Sequence, residues 1–272
     1  MDGMARIWGK DGRLRHTLSG HCEAIFSMRF NQAGSLLLTG SYDFSTVVWD
    51  VNTGKPRQRY QVHSRQVLDV DWKDNETFAS CSSDKTIHVC KLGQENPICM
   101  FQGHKDEVNA VKWDPSGKIL ASCSDDHTAK IWVMDQTKYV HDLREHSKEI
   151  YTIRWSPTGP GSDHPNKKLM LASASFDSMV KLWDVETGTR LHNLNRHDKK
   201  VYTVAFSPDG EYLASGSLGG QLYVWSVKDG SIVKSFRGDA DIYDVAWNSS
   251  GNKIACCGAT ESNAVTIIDF RM

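Results

Sequence analysis

The chain has 272 residues, of which 39% are hydrophobic, 24% charged and 10% aromatic, which is enough to bury a large core. Its 32 lysines and arginines nearly balance its 33 aspartates and glutamates, so it lacks the basic surplus of a dedicated nucleic-acid binder. No apolar run approaches the roughly 20 residues of a membrane helix, and the first residues contain no apolar signal core. We therefore expect a soluble intracellular protein.

The cysteines agree with a reducing compartment. All seven lie outside any C-x-x-C pair, their number is odd, and several fall inside apolar runs such as LASCS. We expect free thiols that serve as small core residues, with no disulfide, bound metal or cofactor.

The chain is built from a repeat with a period of about 42 residues. It opens with the stub MDGMARIW (1–8), and one later repeat is lengthened by the loop SPTGPGSDHPNKK (156–168). The six segments that carry the repeat are LLTGSYDFSTVVW (37–49), FASCSSDKTIHVC (78–90), LASCSDDHTAKIW (120–132), LASASFDSMVKLW (171–183), LASGSLGGQLYVW (213–225) and CCGATESNAVTII (256–268).

A second anchor precedes five of these segments, because a histidine stands nine residues before an aromatic residue. Apolar and β-branched residues alternate around the anchors, which predicts strands, and D-P-S-G and S-P-D-G predict turns. Each repeat is thus four short antiparallel strands, and one such sheet cannot bury its own faces. The predicted fold is all-β: a β-propeller with five complete four-stranded blades, one three-strand C-terminal blade and one N-terminal half blade.

The two ends of the repeat array are incomplete. The half blade holds strands near 4–8 and 13–18, and residues 240–270 supply only three strands. Since an unpaired strand edge is an aggregation liability that propellers remove by closing the ring, we expect a truncated form of a longer protein. The alternative is that strand 13–18 pairs with the last blade and closes a ring of six.

Polar residues recur at fixed positions in the repeats. Trp offers an indole N–H, Ser a hydroxyl, His two ring nitrogens and Asp a carboxylate, so one residue of each kind can form a closed hydrogen-bond chain that rigidifies a blade. The predicted members of these chains are His21, Asp43, Trp49, His63, Asp84, His104, Ser122, Asp126, Trp132, His146, Ser173, Asp177, Trp183, His197 and Trp225.

Histidines near Asp and Ser are also the components of metal sites and of Ser-His-Asp catalysis. Here they recur once per blade in the same register, whereas a catalytic centre needs one site, so we interpret them as structural. In the last two blades Gly219 and Ser262 replace the Asp and Gly238 replaces the His. We predict that these two blades are less rigid than the others.

The Gly-His, Ser-x-Ser-x-Asp and Trp-Asp landmarks resemble those of the WD-repeat family over essentially the whole chain. The segments FASCSSDKTIHVCKLGQ (78–94) and EIYTIRWSPTGPGSDHPNKKLMLASASFDS (149–178) are similar, more specifically, to the transducin β-like family of corepressor subunits. Its particular marks are HVCKLG, where Cys90 replaces the usual Trp, and the inserted WSPTGPG loop.

This resemblance implies an eight-bladed propeller that follows a LisH and F-box-like region. It also implies nuclear complexes containing SMRT or N-CoR and a class I histone deacetylase, with binding of hypoacetylated histone tails and ubiquitin-dependent exchange of corepressors. We expect residues 1–272 to be a single WD-repeat propeller domain, incomplete at its N-terminus and lacking the LisH and F-box-like region. It would act in the nucleus as a chromatin-bound scaffold of transcription regulation, without direct contact to nucleic acid or membrane.

The resemblance also assigns residues near each turn to the narrow end of the ring, where aromatic rings and carboxylates suit an inserted basic peptide. The alternative is that some of these aromatics only pack loop to loop, and we interpret Lys199 and Lys200 as solvated loop charges. The predicted peptide-binding residues are Phe26, Tyr42, Glu107, Asp125, Glu149, Tyr151, Phe176, Tyr202, Asp241 and Tyr243.

Three other functions belong to different classes. A ubiquitin-ligase substrate receptor uses the same fold, and a G-protein β-like adaptor would need an N-terminal coiled-coil helix that this sequence does not show. A propeller enzyme would need acids or histidines lining a channel, and those of the repeat already have a structural explanation. We therefore predict no catalytic residue.

Overall fold

The computed structural model describes residues 2–259 and 265–270, which form twenty-five β-strands joined by turns and loops. Among these residues there is no α-helix, and hence none with the length and apolar character that crossing a membrane requires. The chain forms two compact units. The first holds the residues up to Trp113 together with Gly117–Ser122 and Trp132–Val140, and the second holds the remaining residues.

The first unit contains three sheets in which strands adjacent in the chain are adjacent in the sheet and run antiparallel. The first sheet is β1 (Met4–Trp8) and β2 (Leu14–Ser19), and the second is β3 (Ile25–Phe30), β4 (Leu36–Ser41), β5 (Thr46–Asp50) and β6 (Pro56–Tyr60). The third is β7 (Val67–Trp72), β8 (Thr77–Ser82), β9 (Thr86–Lys91) and β10 (Cys99–Gln102).

The fourth sheet has residues in both units and consists of β11 (Val108–Trp113), β12 (Ile119–Ser124), β13 (Ala129–Val133) and β14 (His141–Leu143). Three further sheets belong to the second unit. They are β15 (Ile150–Trp155), β16 (Met170–Ser175), β17 (Val180–Asp184) and β18 (Thr189–Leu194); β19 (Val201–Phe206), β20 (Tyr212–Ser217), β21 (Gln221–Ser226) and β22 (Ile232–Arg237); and β23 (Asp241–Trp247), β24 (Lys253–Ala259) and β25 (Val265–Asp269).

The described residues thus form five four-stranded sheets, one three-stranded sheet at the C-terminal end and one two-stranded sheet at the N-terminal end. This confirms the blade arrangement that the sequence predicts. The loop at 156–168 carries no strand and joins β15 to β16, as its composition indicates.

The second strand of every complete sheet is buried over at least five of its six residues. Most of these strands end in a run of small residues, such as ASCS in β8 and ASAS in β16. At Gly40 in β4, an added Cβ would lie 2.8 Å from a methyl group of Val67 and 2.9 Å from one of Val70, both in β7. A side chain there would push the next sheet away, so the packing distance requires glycine.

The apolar core is a series of clusters, each joining one sheet to the next. One cluster combines Leu36, Leu38 and Val48 of the second sheet with Val67 and Val70 of the third. Equivalent clusters join the β15–β18 sheet to the β19–β22 sheet and the latter to the β23–β25 sheet. Four of the seven cysteines are buried, whereas Cys22 is exposed and does not serve the core.

Buried polar contacts also join the sheets of the first unit. Asp69 in β7 accepts hydrogen bonds from the Ser27 hydroxyl at 2.7 Å and from the Val111 amide at 3.1 Å, and it pairs with the ammonium group of Lys112. Lys112 and Asp69 are both buried. Burial alone would raise the pKa of Asp69, but the charges of Lys112 and Arg29 and the hydrogen bonds from Lys112 and Ser27 hold it below its usual value. This carboxylate therefore connects β3, β7 and β11.

Asp69→Asn removes the charge that faces the buried Lys112 ammonium. Because an uncompensated buried charge is strongly destabilising, we expect the free energy of unfolding, measured by urea denaturation, to fall by about 3–5 kcal/mol. Changing Asp69 and Lys112 together to leucine should cost less than the two single leucine changes combined, since both charges then leave the core. If the losses of unfolding free energy in the two single leucine variants added up to that of the double variant, the contact between Asp69 and Lys112 would be contradicted. The control is Asp163→Asn, at an exposed loop position.

Candidate functional site

One histidine per complete sheet lies at the centre of a buried hydrogen-bond chain. In the β15–β18 sheet, His146 Nδ1 lies 2.8 Å from Asp177 Oδ2, and His146 Nε2 lies 2.8 Å from Ser173 Oγ. The indole N–H of Trp183 donates to the same Ser173 oxygen at 2.9 Å. Neutral histidine with its proton on Nδ1 satisfies every partner: it donates to the carboxylate, and its Nε2 accepts the serine hydroxyl proton.

The corresponding contacts in the other sheets follow the same pattern with local changes. They are His21 with Asp43 (2.8 Å) and Thr39 (2.7 Å) and Trp49 with Thr39 (2.9 Å); His63 with Asp84 (2.9 Å) and Ser80 (2.9 Å); His104 with Ser122 (2.7 Å) and Trp132 with Ser122 (2.8 Å); and His197 with Ser217 (2.8 Å) and Ser215 (2.7 Å) and Trp225 with Ser215 (2.8 Å). Asp126 accepts bonds from the Thr128 amide and hydroxyl at 2.9 and 2.6 Å.

The aspartates also tie the histidine loop to the turn between the second and third strands. Asp43 accepts hydrogen bonds from the Cys22 amide at 3.1 Å and from the Ser45 amide at 3.0 Å. Burial alone would raise the pKa of Asp43, but the hydrogen bonds from Ser45, His21 and Cys22 outweigh it and lower the pKa to about 2. The carboxylate is therefore ionised at neutral pH and acts as an acceptor only.

Two of the complete sheets and the three-stranded sheet depart from the pattern. In the β7–β10 sheet Cys90 stands in place of Trp, and Tyr60 and Phe78 pack there with ring centroids 5.1 Å apart. In the β19–β22 sheet Gly219 replaces the aspartate, and His197 Nδ1 contacts Ser217 instead of a carboxylate. Gly238 stands where the other sheets have His, and Ser262 lies outside the described residues.

These histidines belong to separate sheets and do not gather around a shared position. Among residues 2–259 and 265–270, no group of three or more His, Cys, Asp or Glu side chains could hold a metal ion. Each ring nitrogen of His21, His63, His146 and His197 already faces a protein oxygen. The arrangement fixes the blades and leaves these rings no free nitrogen for a ligand.

His197 provides a pH-dependent test. Burial lowers its pKa to about 4 from 6.5, although Asp198 and Gln221 act in the opposite direction. Between these two pH values the unfolded chain binds more protons than the folded chain, so the free energy of unfolding falls as the pH decreases, by up to about 3 kcal/mol. We expect the stability difference between the wild type and His197→Gln to shrink by a similar amount from pH 7 to pH 4.

The measurement is urea denaturation at a series of pH values, with the exposed His127→Gln as the control. Parallel stability curves for the wild type and His197→Gln would show that folding does not shift the pKa of His197.

Four of the predicted peptide-binding residues form one aromatic cluster in the second unit: Tyr151, Phe176, Tyr202 and Tyr243. The Tyr151 and Phe176 rings are stacked, with centroids 5.6 Å apart and an angle of 18° between their planes. Tyr202 lies 4.8 Å from Tyr151, 5.1 Å from Phe176 and 5.3 Å from Tyr243, measured between centroids. Tyr151 and Tyr243 are each 43% exposed, so the cluster is a surface and not part of the core.

Two acidic residues border the cluster. Burial raises the pKa of Tyr202, and Tyr243 and the charge of Asp241 raise it further. The backbone carbonyl of Glu149 accepts the Phe176 amide at 2.9 Å, so Glu149 is adjacent to the cluster along the same turn. Aromatic faces and carboxylates both attract cations, so this surface suits a lysine or arginine side chain.

The other predicted residues have contacts of their own. Phe26 and Tyr42 form their own pair in the first unit, with centroids 5.9 Å apart. Glu107 accepts a hydrogen bond from Ser83 at 3.1 Å, and Asp125 is half-buried in the turn after β12. Asp241 also accepts the Gly219 amide at 2.7 Å, so it supports a turn as well as the cluster.

One contact of the cluster differs from the interpretation of the sequence. Lys200 is not simply a solvated loop charge, because its Nζ lies 4.2 Å from the centroid of the Phe176 ring.

Known proteins share both the sequence and the fold of this chain. Residues 63–264 match a family model described as the WDHD1 first WD40 domain, and residues 12–50 match the WD domain, G-beta repeat. The chain is 54% identical to the F-box-like/WD repeat-containing protein TBL1X of Mus musculus, over 99% of this chain and 51% of that protein. It is 56% identical to the WD40 repeat-containing protein HOS15 of Arabidopsis thaliana, over 100% of this chain and 44% of that protein.

The chain therefore spans about half the length of the curated relatives it matches. Among solved structures, the C-terminal WD40 domain of Sif2 covers 100% of this chain and is itself covered to 76%, with a TM-score of 0.86 at 24% sequence identity. That likeness concerns the fold alone and confirms the predicted WD-repeat β-propeller class.

Proposed function

Since the chain belongs to the WD40 repeat family, within its transducin β-like group, we propose that it is a non-catalytic scaffold of a nuclear transcriptional corepressor complex. In this proposal the aromatic cluster binds lysine-rich tails of histones. The partners that match the family are a SMRT or N-CoR corepressor and a class I histone deacetylase, with ubiquitin–proteasome components joining during corepressor exchange.

The observation that carries the proposal is the cluster of four exposed or half-exposed rings, with the acidic residues Glu149 and Asp241 bordering it. A soluble protein rarely exposes adjoining aromatic rings without a use for them, and aromatic residues are enriched among those that dominate binding energy. A histone tail offers the complementary chemistry, because its unmodified lysines are cations and its extended backbone can follow a surface. Removal of those charges by acetylation would weaken the contact, which fits a preference for hypoacetylated tails.

The test is calorimetric titration of the purified chain with unmodified histone H4 and H2B tail peptides. We expect Tyr151→Ala combined with Tyr202→Ala to weaken binding by about tenfold or more, because both rings contact the centre of the cluster. Trp8→Ala combined with Phe30→Ala is the matched control, since it also removes two exposed aromatic rings, and these are far in sequence from the cluster. Equal affinity of the wild type and the Tyr151 and Tyr202 variant would exclude this placement of the site.

A ubiquitin-ligase substrate receptor is the second candidate, because the names of the TBL1X and TBL1Y relatives combine an F-box-like region with WD repeats. The two functions predict different partners. Affinity purification that recovers a deacetylase favours the corepressor scaffold, whereas recovery of a cullin adaptor without a deacetylase favours the ligase receptor.

A further inference from the structure

The aromatic cluster already holds a cation that belongs to the chain itself. Lys200 Nζ lies 4.2 Å from the Phe176 ring centroid, within the range of a cation–π contact. The Lys200 carbonyl accepts the Leu218 amide at 3.0 Å, which fixes the backbone of this residue beside the neighbouring turn. The side chain is therefore attached to a defined point from which it reaches the ring.

The ring that Lys200 covers is held in place by its neighbours. Phe176 stacks on Tyr151 and lies against Tyr202, so one of its two faces is already occupied by an aromatic ring. A lysine from another protein that bound here would need the same face.

We propose that Lys200 is an internal competitor for this cation site and thereby sets the affinity of the cluster for basic peptides. The inference rests on the proposed function, because it assumes that the cluster binds such peptides. The binding free energy that a partner lysine contributes is only the difference between its own contact with Phe176 and the Lys200 contact that it replaces. Lys200 thus selects for segments with several cations and against single, isolated ones.

The neighbouring residue provides a matched control. Lys199 has the same charge and is also exposed, but it lies beside Gly219, where its Cδ is 3.3 Å from the position of an added Cβ. Its removal changes the net charge of the surface by the same amount without vacating the Phe176 face. Lys200→Arg keeps a cation that can cover the same ring.

The first experiment is titration of the wild type and the three variants with the unmodified histone H4 tail peptide. We expect Lys200→Ala to bind about three- to tenfold more tightly than the wild type, since the loss of one exposed cation–π contact and of one repulsive charge both favour the peptide. Lys199→Ala should change the affinity less than twofold, and Lys200→Arg should resemble the wild type. The same peptide with all lysines acetylated should gain nothing from Lys200→Ala.

The second experiment reads the contact directly. In the free protein the ring current of Phe176 should shift the NMR signals of the Lys200 ε-methylene protons upfield, and Phe176→Leu should abolish that shift. Saturating H4 peptide should return the signals to the values of a solvated lysine. Signals that start at the solvated values, or that stay shifted at saturation, would overturn the inference.

The two proposals fail in different ways. Equal gains from Lys200→Ala and Lys199→Ala, or no gain from Lys200→Ala while the Tyr151 and Tyr202 variant loses binding, would overturn the competition and leave the binding surface intact. Absence of H4 binding by both the wild type and Lys200→Ala would reject the proposed function and this inference with it.

Discussion

The hydrogen-bond chain through one histidine per sheet is the interaction on which the rest of each blade depends. In the β15–β18 sheet it joins the loop that carries His146, the second strand through Ser173, and the third strand through Trp183. All of these groups are buried, and each has its donor or acceptor matched. A shift of any strand by one residue would leave buried polar groups unpaired, so the chain selects a single register of the sheet.

Much of this arrangement could be predicted from the sequence because it depends on local spacing. The period of about 42 residues predicts the number of strands in each sheet, and one histidine, one serine and one tryptophan at fixed offsets can meet only in one register. The resemblance to WD repeats assigns Tyr151 and Tyr202 to equivalent positions, and the structure has them near the starts of β15 and β19 in two successive sheets. Phe176 directly follows β16, in the same sheet as Tyr151.

Other features could not be predicted because they depend on packing between segments. The sequence shows that Cys90 replaces the usual Trp, but it does not show which residues pack around the smaller side chain. In the structure these are Tyr60 and Phe78, which come from two other strands. The position of Lys200 over Phe176 depends on the rotamer of a long side chain, which no spacing rule determines. Asp241 was expected to face a peptide, but it also accepts the Gly219 amide, in a turn that lacks its own aspartate.

That last contact links the network to the binding surface. In four turns the residue after the aspartate is not glycine and yet has a positive φ, a conformation that costs an L-residue about 1–2 kcal/mol: Phe44, Lys85, His127 and Ser178. The aspartate offsets this cost by accepting the amide two residues on, as Asp177 does from Met179 at 2.9 Å. Where the aspartate is absent, Gly219 and Gly220 adopt positive φ without that cost, and Asp241 caps the turn from the next sheet. Where Gly219 replaces the aspartate, Asp241 of the next sheet therefore supplies the carboxylate that caps the turn, and the charge of the same side chain also acts on Tyr202 of the aromatic cluster.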